Sequence, residues 1–343
     1  MIIKNYREIS PDVWNSFVSS CQMGHTYFTH EMTSLPPARK MSKRQYKNMS
    51  FGIFNDKEEL LLVFQLFCWQ KKQNFFNRLI KKKSKINLTS FHGLCVKDNL
   101  SKKEYKNLKQ TFEMFLDSFF YKYQCKGLDI ALPPFCDLLR PEKQPVMNPL
   151  INWNFFPFVG YTYLVDLNLS IEEIWGGYTQ TTRNLINKII KDTKVGFFET
   201  DGNEKDFEIL TKLNDACYQF QDKNKKLTEE YLKELWKIVK KRKYCRCFFG
   251  MEDEKINCYI ILLYYKDCCY YFWGGGQSSQ NLQRYLLHSL ILQSKEEGLK
   301  WFEVGAANVW LRGGKDKNIS EYKKSFSHIM HIIHKGSYIP FQE

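Results

Sequence analysis

Apolar residues recur along this chain with two periods, and the switches between them lay out the elements. Trp14, Phe17 and Val18 share a helical stripe behind Ser10-Pro11-Asp12, with Ser as N-cap and Pro at the first helical position. Phe51 to Leu60 reads as a strand, a tight turn at Asn55-Asp56 and the start of a second strand running to Trp69. The basic stretch 71–85 is expected to be a solvated loop, and Asn87 to Val96 another strand. Leu108, Phe112, Phe115, Leu116, Phe119 and Tyr123 return at helical spacing, which predicts a helix over 102–126 closed by Gly127. Leu128 to Leu132 is then a short strand stopped by Pro133-Pro134.

Prolines at 133, 134, 141, 145, 149 and 157 punctuate the middle of the chain, and a crossing between two domains is placed there. Beyond it the same grammar returns. Tyr161 to Leu167 alternates as a strand, and a helix is expected over about 206–219. Phe249-Gly-Met-Glu-Asp-Glu-Lys echoes Phe51-Gly-Ile-Phe-Asn-Asp-Lys as strand, turn and strand. Tyr270 to Trp273 is a strand that runs into Gly274-Gly275-Gly276. Leu282, Tyr285, Leu286, Leu290 and Ile291 form the stripe of a helix over 281–297 capped by Gly298, followed by the strand Leu299 to Val304. The shared order of hairpin, strand, helix, Gly and strand predicts a duplicated α+β unit, divided as 1–150 and 151–343.

Composition narrows the functional classes. Of 343 residues, 43% are hydrophobic and 26% charged, a globular balance. The excess of Lys and Arg gives a net charge of +14, which suits anionic partners such as RNA, phosphorylated substrates or an acidic membrane face. The longest apolar runs fall short of the ~20 residues of a membrane helix. Residues 1–8 show no secretory pattern. The 11 cysteines have no paired C-x-x-C spacing and read as reduced, buried thiols of a cytoplasmic protein. Cys245, Cys247, Cys258, Cys268 and Cys269 lie in apolar strands without zinc-ribbon spacing. His328, His331 and His334 fall on a strand whose alternation separates His331 from the other two, so no metal centre is expected. The lysine clusters at 81–83, 223–226 and 240–243 are read as solvated loops or helix ends.

Candidate chemistry is sparse. The Gly274-Gly275-Gly276 run precedes Gln277-Ser278-Ser279 and a helix, a place where backbone N–H groups can cradle a phosphate or simply make a flexible turn. It fits neither the dinucleotide nor the P-loop pattern. No G-x-S-x-G, H-E-x-x-H or Cys–His arrangement supports hydrolytic chemistry.

A further set of residues carries a resemblance. Glu172-Glu173-Ile174-Trp175 opens a helix, Thr182-Arg183-Asn-Leu-Ile186-Asn-Lys188 continues it, and a turn containing Gly196 follows. Gly298-Leu-Lys-Trp-Phe-Glu303-Val-Gly305 and Ile319-Ser-Glu-Tyr322-Lys323-Lys-Ser-Phe326 come later. Together these segments resemble the signatures of the FemABX-like aminoacyltransferases within the GNAT acyltransferase superfamily. Glu303, Ala306, Asn318 and Tyr322 stand where that family usually has Asp, Gly, Gly and Phe.

The resemblance implies an α+β fold of two tandem GNAT-like domains, mixed sheets flanked by helices. It implies an enzyme that moves an aminoacyl or acyl group onto an amine of a cell-envelope precursor, peptidoglycan or polysaccharide. By the same resemblance Lys323 is the catalytic residue, and Arg183, Tyr322, Phe326 and Glu303 bind the substrate, Arg183 at a phosphate. Lys323 is expected to be exposed, with little core packing. Gly274, Gly275, Gly276 and Ser278 are assigned to the donor, an aminoacyl-tRNA or an acyl-CoA, with no tightly bound cofactor. The expected partners are a phosphorylated amino-sugar or lipid-linked acceptor and charged tRNA, without DNA. Membrane contact, if made, is peripheral. The alternatives are an acyl-CoA-dependent GNAT N-acyltransferase acting on an amino sugar, or a non-catalytic binding protein on the same fold.

Overall fold

A computed structural model of the chain describes residues 1–36, 38, 44–71, 86–89, 93–123, 125, 127–134, 139, 141, 147–217, 227–241, 243–277, 280–307, 315–327 and 329–340. The chain forms two compact units. One comprises Met1–Ser34, Met41–Val159 and Ile333–Glu343; the other comprises Leu35–Lys40 and Gly160–Ile332.

In the first unit the order is β1 (Ile2–Asn5), α1 (Pro11–Ser20), α2 (His30–Ser34), β2 (Arg44–Asn48), β3 (Phe51–Phe54), β4 (Leu60–Phe64), β5 (Phe67–Lys71), β6 (Ile86–Thr89), β7 (Leu94–Val96), α3 (Lys102–Tyr123) and β8 (Leu128–Ala131). Ser10 caps α1 as its sequence predicts, its Oγ accepting from the Val13 N–H at 3.3 Å. β1, β3, β4 and β7 pair in that order. The apolar stripe of α3, Leu108, Phe112, Leu116 and Phe119, is buried in one cluster with Phe51, Phe64 and Trp153. The single strand expected over 87–96 is instead two, β6 and β7, with different partners: β6 pairs with β5 and β8, and β7 with β4. Gly127 is no left-handed cap for α3. A Cβ there would sit 3.3 Å from the Tyr338 carbonyl oxygen, so glycine permits close approach of another strand.

The second unit continues with β9 (Phe156–Asp166), α4 (Ile171–Gly176), α5 (Gln180–Asp192), β10 (Val195–Glu199), α6 (Glu204–Cys217), α7 (Glu229–Lys241), β11 (Cys245–Glu252), β12 (Lys255–Tyr265), β13 (Cys268–Gly276), α8 (Gln280–Glu296), β14 (Trp301–Ala307), α9 (Lys315–Lys324) and β15 (Ile329–Tyr338). Its sheet runs β10-β11-β12-β13-β14-β9, antiparallel except for the parallel pair β13–β14. The α8 stripe of Leu282, Leu286, Leu290 and Ile291 is fully buried against this sheet's apolar residues. The helix expected to continue from Glu172 through Thr182 is broken at Gly177-Tyr178-Thr179 into α4 and α5, because Thr179 caps a new start by accepting from the Thr182 N–H. Gly196 lies inside β10, paired with Met251, rather than in a turn.

The repeated grammar has a structural counterpart. β6 and β8 pair in parallel around the connection that holds α3, as β13 and β14 do around α8. Both units are thus α+β with mixed sheets. Their bounds differ from a cut after residue 150: Leu35–Lys40 falls in the second unit, the first runs on to Val159, and β15 ends in the first. The reason for the last is hydrogen bonding: Lys335 to Tyr338 pair antiparallel with β8, Tyr338 opposite Leu128.

A split between two strands as the candidate active site

The parallel ladder of β13 and β14 covers only three pairs, Cys268 with Trp301, Cys269 with Phe302 and Tyr270 with Glu303. β13 then continues to Gly276 and β14 to Ala307 without pairing with each other. Each strand is bulged just past the last pair. Across from β12 the register passes from Tyr271 to Trp273, leaving Phe272 as the extra residue; across from β9 it passes from Glu303 to Gly305, leaving Val304. A bulge bends and twists its strand, so two bulges at one level drive the strands apart. The result is a crevice at the carboxyl ends of adjacent parallel strands, the usual ligand position in such sheets.

Lys323, in the last turn of α9, reaches into this crevice. Its Nζ lies 5.7 Å from the centre of the Tyr271 ring on β13 and packs against Gly305 on β14. Gly305 has φ +112°, and a Cβ at this residue would lie 3.0 Å from Lys323 Cε and closer still to Nζ. Glycine is therefore needed both for the backbone and for the space. Lys323 is half-buried rather than exposed. Burial pulls its ammonium below the ordinary lysine range, and the nearby Glu303 carboxylate partly opposes the fall.

Glu303, the last paired residue of β14, is buried, with its Oε1 accepting from the Thr162 hydroxyl on β9 at 2.5 Å. Burial pushes its carboxyl upward, while the Thr162 bond and the Lys323 charge hold it down. Burial thus disfavours both charges at the apex of one crevice, which makes the pair a candidate functional site.

The other expected residues take different places. Tyr322 and Phe326 meet edge to face at 5.4 Å between centroids, and Tyr178 packs on Phe326 at 5.2 Å. Phe326 is fully buried, so it supports α9 rather than lining a surface. The Arg183 guanidinium is committed within its own chain: NH1 donates to the Gly176 and Tyr178 carbonyls at 2.9 Å each and to Trp175 at 3.4 Å, and NH2 to Gln180 Oε1 at 2.7 Å. It satisfies the carbonyls that the end of α4 leaves open. That geometry makes it a brace for the 176–178 turn rather than an open phosphate contact.

Gly274, Gly275 and Gly276 belong to β13 and pair with Ile260, Tyr259 and Cys258, so the strand extends through the glycine run instead of ending before it. Glycine is required where β12 presses closest: a Cβ at residue 276 would fall 2.7 Å from Cys258 Cα. Ser278 lies outside the described residues, as do His328 and the lysines at 81–83 and 223–226. The described cysteines are free thiols, all buried except the partly exposed Cys217. Among the described residues no group of His, Cys, Asp and Glu side chains could hold a metal ion. No helix among them is long and apolar enough to cross a membrane.

Thr162, Tyr271 and Arg284 also belong to this region and went unread in the sequence. Arg284 alone left a signal. It interrupts the apolar stripe of α8 with no acidic residue three or four positions away on either side.

Residues 178–324, which include the split and Lys323, match the acetyltransferase (GNAT) domain family. The matched stretch lies within the second unit. Over the whole chain the fold is similar to that of FemX, at TM-score 0.61 and 10% identity, covering 99% of this chain and 97% of that one. It is also similar to L-PGS from Bacillus licheniformis, at TM-score 0.53 and 12% identity, covering 97% and 93%. The FemABX-like resemblance is thus met by the fold. No curated protein matches the sequence.

Proposed function

We propose that this protein transfers an aminoacyl or acyl group from an activated donor, an aminoacyl-tRNA or an acyl-CoA, to a primary amine of a cell-envelope precursor. The observation that carries the reading is the Lys323 ammonium held in the split between β13 and β14, one residue level beyond the buried Glu303. The acceptor class rests on the motif resemblance around Lys323. A phosphorylated amino-sugar or lipid-linked amine also suits the charge of +14.

In the proposed reaction the acceptor amine attacks the carbonyl carbon of the donor's thioester or ester. A new C–N bond forms while the C–S or C–O bond breaks. The amine gives up a proton, and Glu303 is the group placed to accept it. A carboxyl raised by burial is a better base near neutral pH than an ordinary one. Negative charge gathers on the carbonyl oxygen in the tetrahedral intermediate, where the Lys323 ammonium stabilises it; one such partner contributes about 10²–10³ in rate. The proton then passes to the leaving thiolate or alkoxide, which departs as the thiol or hydroxyl. The open edges of β13 and β14 would hold the donor's chain, with Gly274, Gly275 and Gly276 leaving room along β13.

Purified protein incubated with acyl-CoA or charged tRNA, and with an amino-sugar nucleotide, tests this by mass spectrometry. An acceptor heavier by one acyl or aminoacyl group is the expected product. Donor hydrolysis without acceptor gain, with every pair tried, would contradict the reading.

A further inference from the structure

We infer that Arg284 is a positioning residue for Lys323, a guanidinium that fixes the end of α9 so that the ammonium enters the split. This rests on the transfer reading above. Arg284 lies in the second turn of α8 and grips the residues on either side of Lys323. NH1 donates to Ser325 Oγ at 2.9 Å and to Thr182 Oγ1 at 3.0 Å. The guanidinium carbon lies 4.8 Å from the centre of the Tyr322 ring.

The hydroxyls close the arrangement with a consistent direction of donation. Thr182 Oγ1 donates to Ser325 Oγ at 2.8 Å, and Ser325 Oγ donates to the Tyr322 carbonyl at 2.7 Å. The Tyr322 hydroxyl donates to the Gln283 carbonyl at 3.3 Å. Helices α5, α8 and α9 therefore meet at one guanidinium.

Packing alone does not account for this choice. Arg284 has no carboxylate partner among the described residues, and its Nε is buried without a hydrogen bond. Burial also holds its pKa below the ordinary arginine value. An apolar side chain of the same volume would fill the space at lower cost. What only a guanidinium supplies is a flat face for Tyr322 together with directed N–H bonds to two hydroxyls. Those contacts fix α9 on both sides of residue 323.

The test follows Lys323 directly. Protein carrying 13C-labelled lysine is titrated by NMR, with the Lys323 signal assigned from Lys323→Arg, in wild type, Arg284→Lys, Arg284→Met and Ser325→Ala. The groups facing the ammonium are Glu303 on β14 and Tyr271 on β13. Arg284→Lys keeps the positive charge and removes the flat fork, so a change there reports position. The expected result is a Lys323 titration moved up towards that of ordinary lysines, with kcat lower by about 10²-fold and KM unchanged. Ser325→Ala should move both in the same direction by less, and it carries the test if Arg284→Met fails to fold. Arg284→Lys protein that titrates and turns over like wild type would overturn the inference. Wild-type protein without any transfer activity would instead refute the proposed function, and the NMR titration would still decide whether Arg284 places the ammonium.

Discussion

The Lys323 ammonium occupies the space that a side chain at Gly305 would need, so a lysine on α9 and a glycine on β14 define one site together. Neither alone would. The left-handed glycine leaves the hollow, and the helix delivers the charge into it. Gly305→Ala should therefore displace the ammonium and strain the backbone at once. We expect a loss of about 1–3 kcal/mol in stability from the positive φ, together with a fall in kcat larger than any rise in KM. Urea unfolding and steady-state kinetics check the two effects separately. Unchanged kcat in folded Gly305→Ala protein would remove Lys323 from the chemistry.

Thr162→Val isolates the Glu303 carboxylate. The Thr162 hydroxyl favours the ionised form of Glu303, so its loss moves the folded carboxyl still higher. A base must be ionised to accept a proton, hence the acidic limb of the kcat/KM profile should shift to higher pH. The bond's contribution to stability, about 1–3 kcal/mol for a buried acceptor left without its donor, should be largest above that carboxyl's titration and fade as pH falls through it. A pH–rate profile identical to wild type would show that Glu303 takes no part.

The pair Glu303 and Lys323 should weaken the fold that holds it. Burial raises one pKa and lowers the other, which means that both charged forms are disfavoured where they sit. The double variant Glu303→Gln/Lys323→Met is expected to be inactive yet at least as stable as wild type at neutral pH, with a gain of up to about 4 kcal/mol. Thermal unfolding decides. A strongly destabilised double variant would mean that the pair serves structure rather than chemistry.

Arg183 gives a contrasting case. Its guanidinium braces the 176–178 turn that seats Tyr178 against Phe326 and beside His288, whose ring burial pushes down to about 4. Arg183→Ala should cost about 1–3 kcal/mol, because charged donors are removed from backbone carbonyls. The urea midpoint measures it. Full stability with a raised KM and unchanged kcat would return Arg183 to the acceptor's phosphate.

Much of this architecture was legible in the residues because it rests on local periods. The stripes of α3 and α8, the Ser10 cap and the Phe249 hairpin need no distant partner to be recognised. What escaped depends on partners far along the chain. β6 and β7 look continuous in sequence yet take different partners, and β15 is assigned by its bonds to β8, more than 200 positions earlier. The site shows the same division. Lys323 and Glu303 stood in motifs, whereas Thr162 is joined to Glu303 across 141 positions and has no local signal. The partners of Arg183 were not legible because a basic helix start reads alike whether it faces a phosphate or the end of the preceding helix.

The central claim is that Lys323 stabilises the charge that develops as an acyl group passes to an amine. Its most direct test is single-turnover transfer by Lys323→Met against wild type, using a donor and acceptor pair that wild type converts, with folding confirmed by thermal unfolding. The account predicts a rate lower by about 10²–10³-fold with substrate affinities retained. A folded Lys323→Met protein that transfers at the wild-type rate would contradict it.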